Sequence, residues 1–273
     1  MQRIRLRYTK RGRLRFTSHR DFQRAFERAL RRAEVPVAYS AGFTPHPKVS
    51  YANAAPTGVG SEAEYLEIAL VAHRDPEVLR ALLDESLPPG LDVLEAVEAR
   101  TPSLADQLQA SVWEIRLEGV EPQDAASAVG KFLAAERVDV ERLTKNGIRT
   151  FDARGAVVAL EVKDAAEAQV AGVAPGAIER SADRPGRGPC AILRLVVRHS
   201  TPAVRPDDVL SGLRVTADLT PPVPAEVTRL AQGPLDEETG TVTDPLAPDR
   251  DAATAVPPST AGSAVRGART GSA

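Results

Sequence analysis

Ile4-Arg5-Leu6-Arg7-Tyr8-Thr9-Lys10-Arg11-Gly12-Arg13-Leu14-Arg15-Phe16-Thr17-Ser18-His19-Arg20-Asp21 opens with a period of two and closes on a helix start. In Ile4 to Tyr8, and again in Arg13 to Phe16, apolar and basic residues alternate, as in a strand with one buried face. Lys10-Arg11-Gly12 is turn material, so the segment predicts a strand or a hairpin whose polar face is all arginine. Ser18 can cap a helix, with Asp21 at the third helical position as a short-armed capping box. Phe22, Ala25, Phe26, Ala29, Leu30 and Ala33 then recur at helical spacing, while Arg20, Arg24, Arg28, Arg31 and Arg32 fall on the other side. The spacing predicts an amphipathic helix with a basic back, ending before Pro36.

Outward from this segment, Val37-Ala38-Tyr39 reads as a short strand and residues 40–61 as a long loop rich in Gly, Pro, Ser and Asn. Tyr65 to Val71 reads as a strand, Pro76 to Leu87 as a helix begun by Asp75, and Leu91 to Val97 as another strand. The order β-α-β-β-α-β is ferredoxin-like: an antiparallel sheet with helices on one face and the other face open. The second half repeats the rhythm. Strands are expected at Ser111–Leu117, Val138–Leu143, Ala156–Val162, Ala191–Val197 and Val215–Leu219, with helices at Pro122–Ala135 and near Pro206–Leu213. The expectation is an α+β fold of two ferredoxin-like units in tandem, 1–100 and 108–232, the second with a loop insertion near 165–188. From 233 to 273, Gly, Ser, Thr, Ala, Pro and Asp dominate without apolar periodicity, which predicts a disordered tail.

The 273 residues suit about two compact units. With one Trp, four Tyr and six Phe, the core must be largely aliphatic. Cys190 is the only cysteine, so no internal disulfide can form, and the chain opens on charged Met1-Gln2-Arg3-Ile4-Arg5 rather than an apolar signal segment. No run approaches the roughly 18 apolar residues of a membrane helix. A cytoplasmic protein without a membrane partner is expected. The net charge of −2 conceals an asymmetry. Residues 1–48 hold eleven arginines, Lys10 and Lys48 against Asp21, Glu27 and Glu34, a net +10, which leaves −12 for the other 225. A positive face on an acidic molecule steers polyanions or acidic partners toward one surface.

In Tyr39-Ser40-Ala41-Gly42-Phe43-Thr44-Pro45-His46-Pro47-Lys48-Val49-Ser50-Tyr51, two prolines fix the backbone around His46. Phe43 and Tyr51 offer stacking faces, Lys48 a charge, and Ser40 and Ser50 hydroxyls. Beside arginines, such a loop suits the phosphates and splayed bases of single-stranded RNA. The competing reading is a Pro/Gly-rich crossover with both aromatics buried.

The runs Arg15-Phe16-Thr17-Ser18-His19-Arg20-Asp21, Val35-Pro36, Tyr39 to Lys48 and Ser61-Glu62-Ala63-Glu64-Tyr65 resemble the radical-SAM-associated (radical-SAM-linked) domain family of unknown function. The resemblance is close over residues 1–100, weaker to about 230 through Asn146-Gly147-Ile148-Arg149-Thr150-Phe151-Asp152, and absent in the tail. It implies a radical SAM protein as partner and a setting in RNA or ribosome maturation; no reaction is settled for the family. A radical SAM cluster needs three cysteine thiolates, and Cys190 stands alone, so this chain would be the partner of the radical enzyme.

No cofactor is expected. Four scattered histidines, His19, His46, His73 and His199, with one cysteine do not make a zinc site. Gly58-Val59-Gly60 precedes a strand rather than a helix, unlike a phosphate-loop or dinucleotide motif.

The leading expectation is a non-catalytic accessory protein recognising RNA or a ribosomal particle, with no DNA partner. Arg13, Arg15, Arg20, Arg24 and Lys48 would meet phosphates. Phe43, His46 and Tyr51 would meet a base or the partner, with His19, Ser40, Gly42 and Glu64 in the same surface. One alternative is a protein-only docking module for the radical SAM partner or a ribonuclease. Another is a metal-independent RNA-cleaving or RNA-modifying enzyme using His46, or His19, as general acid or base. Glu62, Glu64 and Glu67 are expected as a surface cluster, solvated or paired with the basic helix.

Overall fold

β1 (Gln2–Lys10) buries Ile4, Leu6 and Tyr8 on one face, as the alternation requires. The computed structural model describes residues 1–145, 147–163 and 188–254. β1 pairs antiparallel with β3 (Gly60–Leu70) on one side and β4 (Val93–Glu98) on the other. β2 (Val49–Ala52) lies antiparallel along the C-terminal half of β3, Val49 opposite Ile68 and Ala52 opposite Tyr65. α1 (His19–Arg32) and α2 (Pro76–Ser86) cover one face. Phe22, Phe26, Ala29 and Leu30 of α1, with Leu79 and Leu83 of α2, join Ile4, Leu6, Leu66 and Ile68 in a single buried cluster. Burial of each of the Phe, Leu and Ile side chains contributes about 1.5–3 kcal/mol, which anchors α1 against the sheet and fixes which side faces solvent.

After α3 (Leu104–Gln107), β5 (Ala110–Glu118) is followed by α4 (Pro122–Ala134), the hairpin β6 (Asp139–Thr144) and β7 (Gly147–Asp152), β8 (Val157–Lys163), β9 (Cys190–Arg198), α5 (Pro206–Ala217) and β10 (Glu226–Gly233). β5 lies between β10 and β9, and β8 borders β9, all antiparallel. Gly212 lets α5 approach α4: a Cβ there would meet the Phe132 ring at 2.6 Å. A short parallel pairing, Thr228 opposite Gly60 and Arg229 opposite Ser61, joins the halves into one mixed, mostly antiparallel sheet ordered β4-β1-β3-β10-β5-β9-β8, with β2 beside β3. The hairpin β6-β7 stands off this sheet. No helix among the described residues is long and apolar enough to cross a membrane.

Several expectations are corrected. Arg13 to Phe16 is not strand: Gly12 takes φ +54° and Gly12–Phe16 winds into a 3-10 turn, because the chain must leave the sheet to enter α1. Val37 and Tyr39 form only isolated bridges, with Leu70 and Pro47. Val215 and its neighbours finish α5, and the closing strand is β10 instead. The sheet face opposite α1 and α2 is not open. Leu104 and Leu108 around α3, together with Leu246, pack there on Ala63, Tyr65 and Val97.

The predicted tail is structured through residue 254. Leu235 bridges Val242, and α6 (Ala247–Thr254) carries the buried Asp249. The rest of that tail, residues 255–273, and the predicted insertion, apart from 188, lie outside the described residues.

Candidate nucleic-acid interface

Ser18 caps α1, its Oγ accepting from the Asp21 backbone N–H at 3.2 Å and donating to the Asp21 carboxylate at 2.7 Å. The cap and the buried Phe22, Phe26, Ala29 and Leu30 set the rotation of the helix. Arg20, Arg24, Arg28 and Arg31 therefore share the opposite side; at about 100° per residue they fall within an arc of about 80° and a length of about 16 Å. All four are exposed. Arg24 lies 3.8 Å from Asp21 with both side chains over 60% exposed, a pairing worth little in water. Arg20, Arg28 and Arg31 have no side-chain partner among the described residues. Arg32 differs: it donates to the Ser86 carbonyl at 3.1 Å and tethers α1 to the end of α2.

Most of the other arginines of the first 48 residues have a carboxylate or carbonyl partner. Arg5 is fully buried on the face away from α1. Its guanidinium donates to Glu67 at 3.0 Å, to Asp249 at 2.7 Å, and to the Thr101 hydroxyl and the Thr101 and Pro102 carbonyls. Arg3 also reaches Glu67, and Arg7 donates to the Glu62 carbonyl. Arg11 is held by Glu62 and Asp92, contacts that keep its guanidinium even more firmly protonated. Arg15 pairs with Glu226 and lies 4.9 Å over the Phe16 ring. Of the phosphate contacts expected from sequence, Arg13, Arg20, Arg24 and Lys48 face solvent, while Arg15 is half-buried in an ion pair.

The loop before β2 is a closed finger. Ser40 N–H donates to the His46 carbonyl at 2.9 Å, and the His46 N–H donates to Ser40 Oγ at 3.0 Å. Gly42 takes φ +133°, a conformation that side-chain-bearing residues avoid. Phe43, at the tip, is fully exposed, so the reading that buries it is wrong. Tyr51 is half-buried, its ring edge-on to His19 at 5.0 Å and to Phe22 at 5.9 Å. Burial, then the nearby Glu27 carboxylate, pushes its hydroxyl well above the ordinary tyrosine range.

His19 and Arg20 open α1, with Tyr51 of β2 beside His19; Lys48 stands three residues before Tyr51, and Phe43 and His46 lie in the finger that leads into β2. Glu64 leaves the surface set altogether. It is 1% exposed, accepting from the Ala55 N–H at 2.9 Å and from Arg229 at 3.3 Å. Glu62 and Glu67 are likewise drawn into ion pairs with β1 and the turn after it rather than with α1. Sequence reasoning put Arg28 and Arg31 on the basic back but left them out of the interface; their spacing with Arg20 and Arg24 was the available signal.

Residues 3–206 match the family described as an uncharacterized protein conserved in bacteria (DUF2344). The chain belongs to that family. No curated protein matches it. The family match takes in the arginine stripe, the 40–47 finger and the sheet up to β9, and stops at the start of α5, so β10 and α6 complete the fold beyond it.

Proposed function

We propose that this protein is a non-catalytic accessory factor that recognises RNA, or an RNA-bearing particle such as the ribosome, on behalf of a separately encoded radical SAM enzyme. The observation that carries the RNA reading is the stripe of Arg20, Arg24, Arg28 and Arg31, four exposed guanidiniums on a helix whose opposite face is locked into the core. Nearly all other arginines in the first 48 residues have a carboxylate or carbonyl partner. A guanidinium about every helical turn matches the repeat of a phosphate backbone, and Arg is suited to bidentate phosphate contact. The Phe43 finger adds a stacking face of the kind single-stranded RNA uses. The radical SAM partner rests on the sequence resemblance alone.

Among the described residues neither His46 nor His19 has a side chain hydrogen-bonded to its imidazole, and it is the arginine stripe that favours recognition. Each half of the chain has the strand order 4-1-3-2 around its own helix pair, β4-β1-β3-β2 and β10-β5-β9-β8. These orders support two ferredoxin-like units over about 1–100 and 108–233, the second carrying β6-β7 as an addition.

The test is RNA affinity against salt for wild type and for Arg20→Ser/Arg24→Ser/Arg28→Ser/Arg31→Ser. For single strands each phosphate contact adds about 0.7 to the slope of log K on log salt, so the variant should lose about 3 from it. An unchanged slope sinks the proposal. Wild-type protein that ignores RNA but retains a radical SAM partner after nuclease treatment would move the assignment to the docking module.

A further inference from the structure

Between the two helix pairs, where β3 meets β10, three charged side chains are buried together: Lys10 (6% exposed), Glu64 (1%) and Arg229 (5%). All three are held by the backbone of one surface loop. Lys10 Nζ donates to the Pro56 carbonyl at 3.1 Å and lies 3.4 Å from that of Ala55. Arg229 donates to the Asn53 carbonyl at 2.6 Å and to Glu64 at 3.3 Å, and Glu64 takes the Ala55 N–H. Arg229 Nε has no partner among the described residues, and the guanidinium lies 4.7 Å over the Trp113 ring.

Two cations thus face one carboxylate, and among the described residues Lys10 donates to neutral carbonyls alone. Burial lowers the Lys10 pKa; Glu64 raises it and Arg229 lowers it again. Tyr8, also at this cluster, is held neutral by burial and by Glu64, and adds no negative charge. An uncompensated buried cation costs several kcal/mol, so a net positive interior cluster calls for an anion. The covering loop lies at the surface. Ala54, Pro56 and Thr57 are exposed, and the loop is bounded by Asn53 at φ +44° and Gly58 at φ +92°.

We propose that Lys10 and Arg229 form a phosphate-binding site beneath the 53–57 loop, phosphate oxygens taking the places held by the carbonyls of Asn53, Ala55 and Pro56. The ligand class is a phosphoryl group, carried by a small molecule or by the end of an RNA. The site is separate from the α1 stripe and does not depend on it.

The experiment is thermal unfolding of the full chain titrated with inorganic phosphate at constant ionic strength. Wild type should show a saturable rise in Tm, as expected of a ligand that binds only the folded state. Lys10→Met should lose that rise while unfolding no earlier than wild type without phosphate. Lys10→Gln, which can still donate to the carbonyls, should behave alike and covers the case in which Met fails to fold.

The proposal is overturned if wild type shows no saturable rise, or if both Lys10 variants keep it. It is also overturned if the rise vanishes in the four-arginine stripe variant, because phosphate then binds the helix surface. A greater rise with a 5′-phosphorylated oligoribonucleotide than with its unphosphorylated twin assigns the phosphoryl group to RNA. Equal response to the two, with inorganic phosphate still effective, assigns it to a small phosphate compound.

Discussion

β1 and α1 draw on the same arginine-rich segment, yet one buries its charge and the other displays it. On β1, neighbours on both sides bring Glu67 and the Thr101-Pro102 backbone to Arg5, and α6 closes over it with Asp249. On α1, only one face meets the sheet, and the stripe opposite meets water. The difference shows that local arginine density is a poor guide to a binding face. What matters is how many sides of the element are covered, because a covered guanidinium must find a partner and an uncovered one need not.

The sharpest way to break this comparison is Asp249→Ala, which leaves the Arg5 guanidinium buried without its aspartate. A loss of about 3–5 kcal/mol in urea unfolding is expected. Arg5→Met/Asp249→Leu, which removes both charges, should recover most of it. If the single variant loses under about 1 kcal/mol, the buried half of the comparison fails.

The exposed half is probed next at the finger. Phe43→Ala should weaken single-stranded RNA binding by about 1–3 kcal/mol, the usual contribution of one base stacked on an aromatic ring. Its unfolding midpoint should not move, because the ring is fully exposed. Altered stability with unaltered RNA affinity would make the finger a structural element.

Acid provides a milder contrast. Burial alone would raise the Asp249 pKa, but the backbone N–H groups of Arg100 and Thr101, the Thr101 hydroxyl and Arg5 outweigh it and hold the carboxyl below the usual aspartate range. A carboxylate depressed in the folded state stabilises fully above its unfolded pKa, about 3.9, and loses that stabilisation as pH falls toward the folded value. Stability should therefore drop below about pH 4, and Asp249→Asn should flatten that part of the profile. An identical acid slope in the variant would place the titration elsewhere.

The smallest effect belongs to the stripe itself. Each of Arg20→Ser, Arg24→Ser, Arg28→Ser and Arg31→Ser should alter stability by no more than about 0.5 kcal/mol, the ordinary range for exposed positions. A much larger loss in any of them would mean that the guanidinium has a structural partner.

The amphipathic pattern of Phe22 to Ala33, the Ser18 cap and the alternation of Ile4 to Tyr8 were legible because each depends on residues within two turns or one strand. α2, β4 and most of β3 followed from the same local rules, whereas β2 (Val49–Ala52) lies inside the stretch 40–61 that reads as loop. α6 and β10 were not legible. Ala247 to Thr254 has almost no apolar stripe of its own and is held through Asp249 on Arg5, a contact across 244 residues. In Glu226 to Gly233, Arg229 occupies a core-facing position where alternation calls for an apolar side chain, and Trp113 and Glu64 make that tolerable.

The candidate site divides in the same way. Sequence by itself determined that α1 would carry a basic back and that prolines would flank His46 and fix φ there, since helical periodicity and proline geometry are properties of the chain. Only the tertiary structure decided which cations stay free, because pairing depends on carboxylates that the sheet brings from β3, β4, β10 and α6. Coulombic partners are chosen by distance in space, and a linear sequence records that distance only for near neighbours.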